Sequence, residues 1–321
     1  MKSLYRLLPL LSHHQFTSGQ ALAQELAVTR PTISNWVAEL VAQGVDVYSV
    51  RGRGYRLAEP ISLLDRDRIL KALPAAVTRR LSILDIRTDV DSTNAWVLAQ
   101  PPAAGRWSVC TADYQHQGRG RRGRVWQSPP ASSIMVSAAV REPLGGNALY
   151  AASLVVGVAV VRAVRQVTGL SVELKWPNDI YSQGRKLGGV LCELRGNPLD
   201  QPVLVVGIGL NVNRQPLGLD REVGCLRQLS GQFIDRNDLL VALLGQLQQV
   251  FARLAGANGL ADLLQEWSQF DCLLNRAVTL LQGGQRRAVV ARGIDHQGQL
   301  IVENELGQRS TVNGGEVSVL W

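Results

Sequence analysis

The sequence predicts an α+β protein in three parts. Short amphipathic helices fill the amino-terminal part, strands surround one long helix in the centre, and short strands broken by glycine turns form the carboxyl-terminal part. We expect domains over residues 1–62, 63–272 and 273–321, and a chain of 321 residues is long enough to fold them.

The composition is that of a folded, basic chain. Hydrophobic residues make up 46% of it, and the formal net charge is +8. The charge indicates an acidic partner such as nucleic acid, nucleotide or acidic protein, although a solvated basic surface explains it equally well. The four cysteines are scattered without a CxxC pair, so we expect a reduced, cytoplasmic chain without a zinc site.

Neither apolar stretch of the sequence predicts a membrane segment. The opening "MKSLYRLLPLLSHHQF" lacks the small-residue cleavage site of a signal peptide. The run "AASLVVGVAVVRAV" is interrupted by Arg162 well before membrane-spanning length. We therefore expect a soluble protein with no membrane partner.

Two helices joined by a tight turn are predicted within residues 17–44. Ser18 and Thr29 are candidate amino-terminal caps, and Gly44 ends the second helix. Such a pair is typical of a helix-turn-helix, whose second helix enters the major groove. The hairpin "VDVYSVRGRGYRL" then resembles a wing laid against phosphates. The predicted DNA contacts are Arg30, Thr32, Ser34 and Asn35 on the second helix and Arg51 and Arg53 in the hairpin.

A small protein-interaction domain with a basic hairpin is the alternative for this part. The order helix, turn, helix and wing favours DNA binding over it. Before these elements, the run Leu4–Leu11 has helical spacing, but Pro9 inside it removes a hydrogen bond and is expected to shift or kink the helix. The segment "AEPISLLDRD" that follows them is expected to be a linker.

The central part predicts a mixed sheet with helices on one side. Its strand-forming runs come in closely spaced pairs before and after a long apolar helix that ends at Gly169, which favours hairpins over regular βαβ units. The predicted strands are "LSILDIR", "WSVCTA", "SSIMVSAAV", "SVELKW", "KLGGVLCEL" and "PVLVVGIGLNV".

The stretch "DYQHQGRGRRGRVWQSPP" is the clearest candidate binding loop. Its glycines match GxGxxG, but Pro129 and Pro130 follow where a dinucleotide site needs a helix, and the chain has no GxxxxGK[ST]. What remains is a loop whose backbone can approach a ligand closely and whose arginines neutralise phosphate charge. A basic surface loop without a ligand is the alternative.

Three neighbouring motifs favour a ligand. "DSTN" places short polar side chains at the mouth of a helix, where capping alone is the simpler explanation. "KWPNDIY" predicts a turn after a strand. In "RKLGGVLCEL", Lys186 precedes two glycines, and its compact charge makes it a candidate partner for a carboxylate or phosphate.

In this order, "DSTN", "YQHQGRGRRGRVW", "KWPNDIY", "RKLGGVLCEL" and "GIGLNV" resemble the biotin protein ligases. With the winged helix in front, nearly the whole chain resembles the bifunctional type, which is both biotin ligase and repressor of the biotin operon. The resemblance implies a central domain like that of class II synthetases and a carboxyl-terminal SH3-like β-barrel. It also implies that biotin and MgATP give biotinyl-5′-AMP, which biotinylates a lysine of the biotin carboxyl carrier protein.

The same resemblance implies the site residues. Biotin would contact Ser92, Thr93, Asn94, Gln115, Arg119, Gly120, Arg121 and Lys186, with Arg121 and Lys186 catalytic. The adenylate or ATP would contact Arg121, Arg124, Trp126, Asn178, Lys186 and Asn211, and Mg2+ would come with ATP without a protein-bound metal site. The partners would be the carrier protein, operator DNA and, with adenylate bound, a second copy of the chain.

Two other functions stay open on the sequence alone. One is a transcription regulator whose central domain only senses a ligand. The other is a lipoate-attaching enzyme, although lipoate lacks the ureido ring that the polar "DSTN" cluster suits. Cys225 stands where we expect an aromatic side chain to stack on adenine, and the chain ends at Trp321 without the basic tail expected after "GEVSVL".

Overall fold

A computed structural model of the chain describes residues 4–141, 151–196, 202–218, 222–282, 284–314 and 317–320. The first predicted helix is a 3-10 helix, Leu4–Leu10, whose Pro9 cannot donate the backbone bond of a regular helix. Helices α1 (Gly19–Leu26) and α2 (Arg30–Ala42) follow as predicted.

Local capping fixes the helix-turn-helix. The Ser18 hydroxyl accepts from the Ala21 amide at 3.1 Å, and the Thr29 hydroxyl accepts from the Thr32 amide at 3.3 Å. Ala27 takes a left-handed conformation between the helices. The predicted wing is the antiparallel hairpin of β1 (Val47–Val50) and β2 (Gly54–Leu57). The buried faces of both helices pack together with the 3-10 helix, through side chains that include Leu8, Leu22, Leu26, Ile33, Val37 and Leu40.

The central sheet is mixed, as predicted, with seven strands in the order β3-β4-β5-β9-β8-β7-β6. Only the β3 and β4 pair is parallel among its described pairings. The strands are β3 (Leu81–Val90), β4 (Trp107–Gln115), β5 (Ser133–Val140), β6 (Glu173–Lys175), β7 (Asp179–Ser182), β8 (Arg185–Arg195) and β9 (Val203–Asn211).

The long helices lie on one face of this sheet, and one short helix lies on the other. Alternation along each strand sends Val206 toward the long helices and Val205 toward the short helix. The short helix is α5 (Thr93–Leu98), and Ser92, Thr93 and Asn94 at its start line a cavity. The other helices are α3 (Arg66–Ala72), α4 (Ala75–Thr78), α6 (Ala152–Thr168), α7 (Leu226–Ser230), α8 (Arg236–Leu254) and α9 (Gly259–Ser268).

The long apolar helix ends where the sequence predicts. Gly169 takes a left-handed conformation after α6, and its amide donates to the Arg165 carbonyl at 2.9 Å. The predicted start of this helix at residues 147–150 lies outside the described residues. Within the described ranges, no helix is long and apolar enough to cross a membrane.

The carboxyl-terminal part is a five-stranded antiparallel sheet in the order β13-β12-β11-β10-β14. Its core is continuous with that of the central domain, since Leu280 and Val302 join the same buried cluster as α6 and α8. Closure of this sheet into a barrel stays a prediction. The strands are β10 (Ala277–Gln282), β11 (Gln285–Ile294), β12 (Leu300–Glu303), β13 (Arg309–Val312) and β14 (Val317–Leu320).

The predicted linker is an extended segment held by the central domain. Glu59 accepts hydrogen bonds from Arg214 at 2.7 Å and pairs with Arg227 at 2.6 Å. Further along, the fully buried Arg236 donates to the Ser62 carbonyl at 2.7 Å and also pairs with Asp113. These contacts fix the amino-terminal domain to the central one, so the linker is not a free tether.

Candidate active site

A cavity of about 440 Å³ opens between α5, β8, β9 and the arginine-rich loop. Every residue that the resemblance assigned to biotin or the adenylate lines it, except Asn211. Asn211 is buried, and its amide nitrogen donates to the Gly224 carbonyl at 3.0 Å. Folding therefore brings the separate motifs together at one place.

One end of the cavity is a cluster of neutral polar side chains, which we call the polar floor: Thr93, Asn94, Gln115 and Ser137. The Thr93 amide donates to Gln115 Oε1 at 2.8 Å. The Ser137 hydroxyl donates to Asn94 Oδ1 at 2.5 Å and lies 2.7 Å from the Thr93 hydroxyl. These fixed, uncharged donors and acceptors can recognise a polar neutral group.

The residues beside the polar floor explain its shape. Ser92 caps α5, since its hydroxyl accepts from the Ala95 amide at 3.5 Å, so the capping interpretation holds for this serine. Gly207 lies under Asn94, where a Cβ atom would come within 2.2 Å of Asn94 Oδ1. A larger residue at 207 would displace Asn94 from the cavity.

A second cluster in the cavity carries the cations. Lys186 Nζ pairs with the Asp179 carboxylate. Lys175 is buried and lies 5.1 Å from the centre of the Tyr181 ring. Burial lowers the pKa of the Lys175 ammonium, which the Asp179 carboxylate partly offsets. An incoming carboxylate or phosphate would meet two ammonium groups and one competing carboxylate.

The arginine-rich loop forms a small hairpin over the cavity, and we call residues 118–126 the lid. The Trp126 amide donates to the Gly118 carbonyl at 2.8 Å, and the Gly120 amide donates to the Arg124 carbonyl at 2.7 Å. A 3-10 turn, Arg121–Gly123, forms its tip. The lid is thus locally folded, although exposed side chains dominate its tip.

Two lid side chains reach furthest into the site. Arg121 donates to Asn178 Oδ1 at 3.0 Å and to the Gly314 carbonyl of the carboxyl-terminal domain. Burial lowers the pKa of the Arg121 guanidinium from its high ordinary value. Trp126 lies against Gly209, where a Cβ atom would come within 2.6 Å of the indole ring. Trp126 of the lid can therefore pack directly against strand β9, because Gly209 has no side chain there.

The other residues singled out from the sequence lie at different places in and around the cavity. Arg119 begins the lid and lies 3.6 Å from Glu193 Oε1. Arg124 is exposed at the edge of the cavity that it lines. The Asn178 amide nitrogen donates to the Val190 carbonyl at 2.7 Å, which orients its oxygen toward Arg121. Cys225 is buried before α7, where its amide donates to Gln228 Oε1 at 3.1 Å.

Sequence reasoning missed Ser137 and Glu193, which both touch Asn94. Ser137 is a polar residue within the buried apolar strand β5, and this interruption was the signal that could have revealed it. Glu193 lies near the end of β8, where nothing in the sequence distinguishes it from a surface residue.

The predicted DNA contacts occupy one helix and one turn. Arg30, Ser34 and Asn35 are exposed on α2, whereas Thr32 is half-buried and shares a hydrogen bond of 2.8 Å with the Thr29 hydroxyl. In the wing, Arg51 and Arg53 are exposed, and the Arg53 guanidinium lies 4.5 Å from the centre of the Phe16 ring. The arrangement offers cations and polar groups to a polyanion.

In the described part of the chain, no group of three or more His, Cys, Asp or Glu side chains could hold a metal ion. Asp179 and Glu222 are among the residues that line the cavity. Carboxylate oxygens are ligands that Mg2+ accepts when it is already bound to substrate phosphates. The residues present are therefore compatible with a magnesium nucleotide.

Three family patterns match the chain in the order of its parts. The HTH domain matches residues 3–56, the Biotin/lipoate A/B protein ligase family matches residues 87–213, and the Biotin protein ligase C terminal domain matches residues 273–320. These ranges follow the chain order of the amino-terminal helices, the central sheet and the carboxyl-terminal sheet.

Similar proteins extend the match to the whole chain. The bifunctional ligase/repressor BirA of Escherichia coli (strain K12) is 35% identical over 98% of this chain and 96% of its own. BirA of Bacillus subtilis (strain 168) is 30% identical over 92% and 91%. A biotin protein ligase from Aquifex aeolicus, solved with biotin and ATP, covers 75% of this chain and 99% of its own at 27% identity and a TM-score of 0.64. The chain thus belongs to the biotin/lipoate A/B protein ligase family.

Proposed function

We propose that this protein is a biotin protein ligase that also represses transcription from a biotin operator. The observation that carries the proposal is the cavity, which joins a neutral polar floor to a cluster of cations under one lid. A ligand in which an acid with a neutral polar ring is joined to a nucleotide requires this combination. The ring needs uncharged hydrogen-bonding partners, and the carboxylate and phosphates need cations. Full-length similarity to the bifunctional ligase/repressors BirA supports the same conclusion.

The polar floor would bind the ureido ring of biotin. That ring has two N–H donors and one carbonyl acceptor, and Thr93, Asn94, Gln115 and Ser137 supply uncharged partners. Lipoate has no such group, so it would cover these polar side chains without hydrogen-bonding to the donors and acceptors that they have left. An unmatched polar site discriminates strongly against an analogue that lacks the polar group.

The cations would bring two anions together. Lys186 and Arg121 would contact the biotin carboxylate and the α-phosphate of ATP, with Arg119, Gly120 and Ser92 closing around biotin. Lys175 lies beside Lys186 and would add to the positive charge. We assign Arg124, Trp126 and Asn178 to the adenylate, and Asn211 to the wall behind it. Mg2+ would enter with the phosphates of ATP.

The reaction needs no protein nucleophile. A biotin carboxylate oxygen attacks the α-phosphorus, the bond to pyrophosphate breaks, and biotinyl-5′-AMP forms. A lysine amine of the biotin carboxyl carrier protein then attacks the acyl carbon, loses a proton and displaces AMP. The protein contributes alignment of the reactants and stabilisation of negative charge in a closed site.

The amino-terminal domain would bind operator DNA through Arg30, Thr32, Ser34 and Asn35 on α2 and through Arg51 and Arg53 in the wing. A palindromic operator calls for two copies of such a domain. Strand β3 is ten residues long and forms an edge of the central sheet, so it offers a surface on which a second copy can pair. We propose that the dimer forms when adenylate is bound.

The ligase is tested by transfer of labelled biotin to a purified carrier domain with MgATP, with excess lipoate as competitor. We expect transfer that ignores lipoate, that falls at least 100-fold in Lys186→Ala, and that is unchanged in Lys71→Ala on α3. Tight biotin binding without transfer would instead favour a ligand-sensing regulator. Transfer of lipoate in place of biotin would favour a lipoate-attaching enzyme.

The repressor is tested with Asn35→Ala and Arg30→Ala. Each is expected to weaken operator binding by about 1–3 kcal/mol and to leave biotin transfer intact. Arg66→Ala removes an exposed arginine from α3 and is the matched control. A parallel fall in biotin transfer would mean that the DNA-binding and ligase domains are not separable.

A further inference from the structure

Glu193 touches both the polar floor and the lid. Its Oε2 accepts a hydrogen bond from the Asn94 amide nitrogen at 2.6 Å. Its Oε1 lies 3.6 Å from an Arg119 guanidinium nitrogen. The two carboxylate oxygens therefore face two different parts of the proposed biotin site.

The first contact, between Glu193 and Asn94, sets which groups of the polar floor donate hydrogen bonds and which accept them. Because a carboxylate only accepts, Asn94 must turn its nitrogen toward Glu193 and its oxygen toward Ser137. Ser137 then donates its single proton to Asn94 and accepts from Thr93, whose hydroxyl lies 2.7 Å away. The Thr93 hydroxyl also donates toward Gln115 Oε1 at 3.1 Å, so its single proton is shared between two acceptors and its oxygen keeps lone pairs for a ligand donor.

Without an acceptor at 193, this order would be lost. An asparagine amide can rotate and exchange its oxygen and nitrogen, which would reverse the donors along Ser137 and Thr93. The position of Asn94 depends on Gly207, since its side chain occupies the space where a Cβ atom at residue 207 would come within 2.2 Å of its oxygen. Glu193 therefore acts on the orientation of Asn94 and not on its position.

The second contact has a different strength. Arg119 is half-exposed and its separation from Glu193 is long, so the pair is a weak surface ion pair. A weak pair suits a lid that must open for each substrate. Since Arg119 begins the lid hairpin, with a bridge to Val125, the pair acts on the whole lid.

We propose that Glu193 is a positioning residue that orients the Asn94 amide for the ligand and docks the lid through Arg119. The proposal rests on the proposed function, because it takes biotin as the ligand of the polar floor. It makes one carboxylate responsible both for the polarity of the site and for its closure.

Two substitutions separate the two roles. Glu193→Gln keeps an oxygen that can accept from Asn94 but loses the charge that attracts Arg119. Glu193→Ala removes both contacts. Glu303→Gln is the matched control, since Glu303 bridges Arg292 and Arg309 on the carboxyl-terminal sheet and does not line the cavity.

The measurements are biotin affinity by titration and trypsin cleavage within the arginine-rich lid, with biotin and MgATP present. We expect Glu193→Gln to change biotin affinity less than twofold and to speed lid cleavage several-fold. Glu193→Ala should speed cleavage equally and weaken biotin binding by about 10–100-fold. Glu303→Gln should change neither.

Wild-type protein that binds biotin, with both Glu193 variants unchanged, would overturn the positioning role alone. Equal loss of biotin affinity in the Gln and Ala variants would also overturn it, because the lid contact would then not be separable. Wild-type protein that does not bind biotin would overturn the proposed function and this inference together.

Discussion

Arginines are prominent in two regions of this molecule, but their ion pairs are close in one region and weak in the other. In the junction, which we define as residues 59–65 with Arg214, Arg227 and Arg236, each arginine meets an acidic partner, and Arg236 is fully buried. In the lid, the arginines are mostly exposed and Arg119 has one weak pair. The same side chain therefore fixes one region and leaves the other able to open.

The difference follows from burial and from the number of acceptors. Arg236 donates to the carbonyls of Ser62 and Ser133 and to Asp113, so its loss would leave several buried groups unsatisfied. Arg119 can leave Glu193 for water at little cost. The junction suits a fixed DNA-binding domain, and the lid suits repeated entry of substrate.

The largest expected effect comes from breaking the junction at its centre. Arg236→Ala should lower the free energy of unfolding by about 3–5 kcal/mol, because Asp113 would remain buried without a partner. Burial already raises the pKa of the Asp113 carboxyl, which Arg236 counteracts. Chemical denaturation measures the change. Arg253→Ala, which removes exposed ion pairs between the same helix and α9, should change stability by about 1 kcal/mol or less and is the control.

The next largest effect is expected in the lid, and it should leave the free energy of unfolding nearly unchanged. Arg121→Ala removes contacts to Asn178 and Gly314, so biotinyl-5′-AMP should dissociate about 10–100-fold faster. Biotin affinity should change much less, and unfolding should be nearly unchanged. Stopped-flow release of adenylate measures the rate. Equal weakening of biotin and adenylate would show that Arg121 does not act on the nucleotide.

The smallest expected effect is the pH dependence that Glu59 gives to the stability of the junction. Burial by itself would raise the pKa of Glu59, but hydrogen bonds from Arg214 and Arg227 lower it below its ordinary value of 4.5. Because the folded-state pKa is the lower one, this stability is present above about pH 4.5 and is lost as the pH falls through the folded pKa. Glu59→Gln should cost about 1–2 kcal/mol at pH 7.

Denaturation of both proteins across pH 3 to pH 7 checks this prediction. The difference between wild type and Glu59→Gln should be constant near neutrality and should shrink in acid. A difference that grows in acid would contradict the assigned role of Glu59. Glu305→Gln, at an exposed position between β12 and β13, provides a control that leaves the junction intact.

Much of this molecule could be predicted from local sequence. Caps at Ser18 and Thr29, the glycine end of α6 and the buried apolar faces are short-range features, so they are visible in the pattern. The site motifs carried over by resemblance do gather around one cavity, apart from Asn211.

The long-range contacts could not be predicted from pattern alone. Glu193 meets Asn94 across 99 residues of sequence, and Arg236 meets Asp113 across 123. A charged residue in a strand or at a helix start has the same local signal whether it faces solvent or a buried partner. The local sequence likewise predicts only a plain linker around Glu59, because its partners Arg214 and Arg227 lie far along the chain.

Hydrogen exchange in the lid and the junction, with and without biotin and MgATP, is the most direct test of this account. We predict that amides of residues 118–126 exchange fast in the free protein and slow markedly with ligands. The Asp65 amide, which donates to Asn237 at 2.8 Å, should be protected in both states. A lid already protected without ligands, or a junction that loosens with them, would contradict the division between a fixed junction and an opening lid.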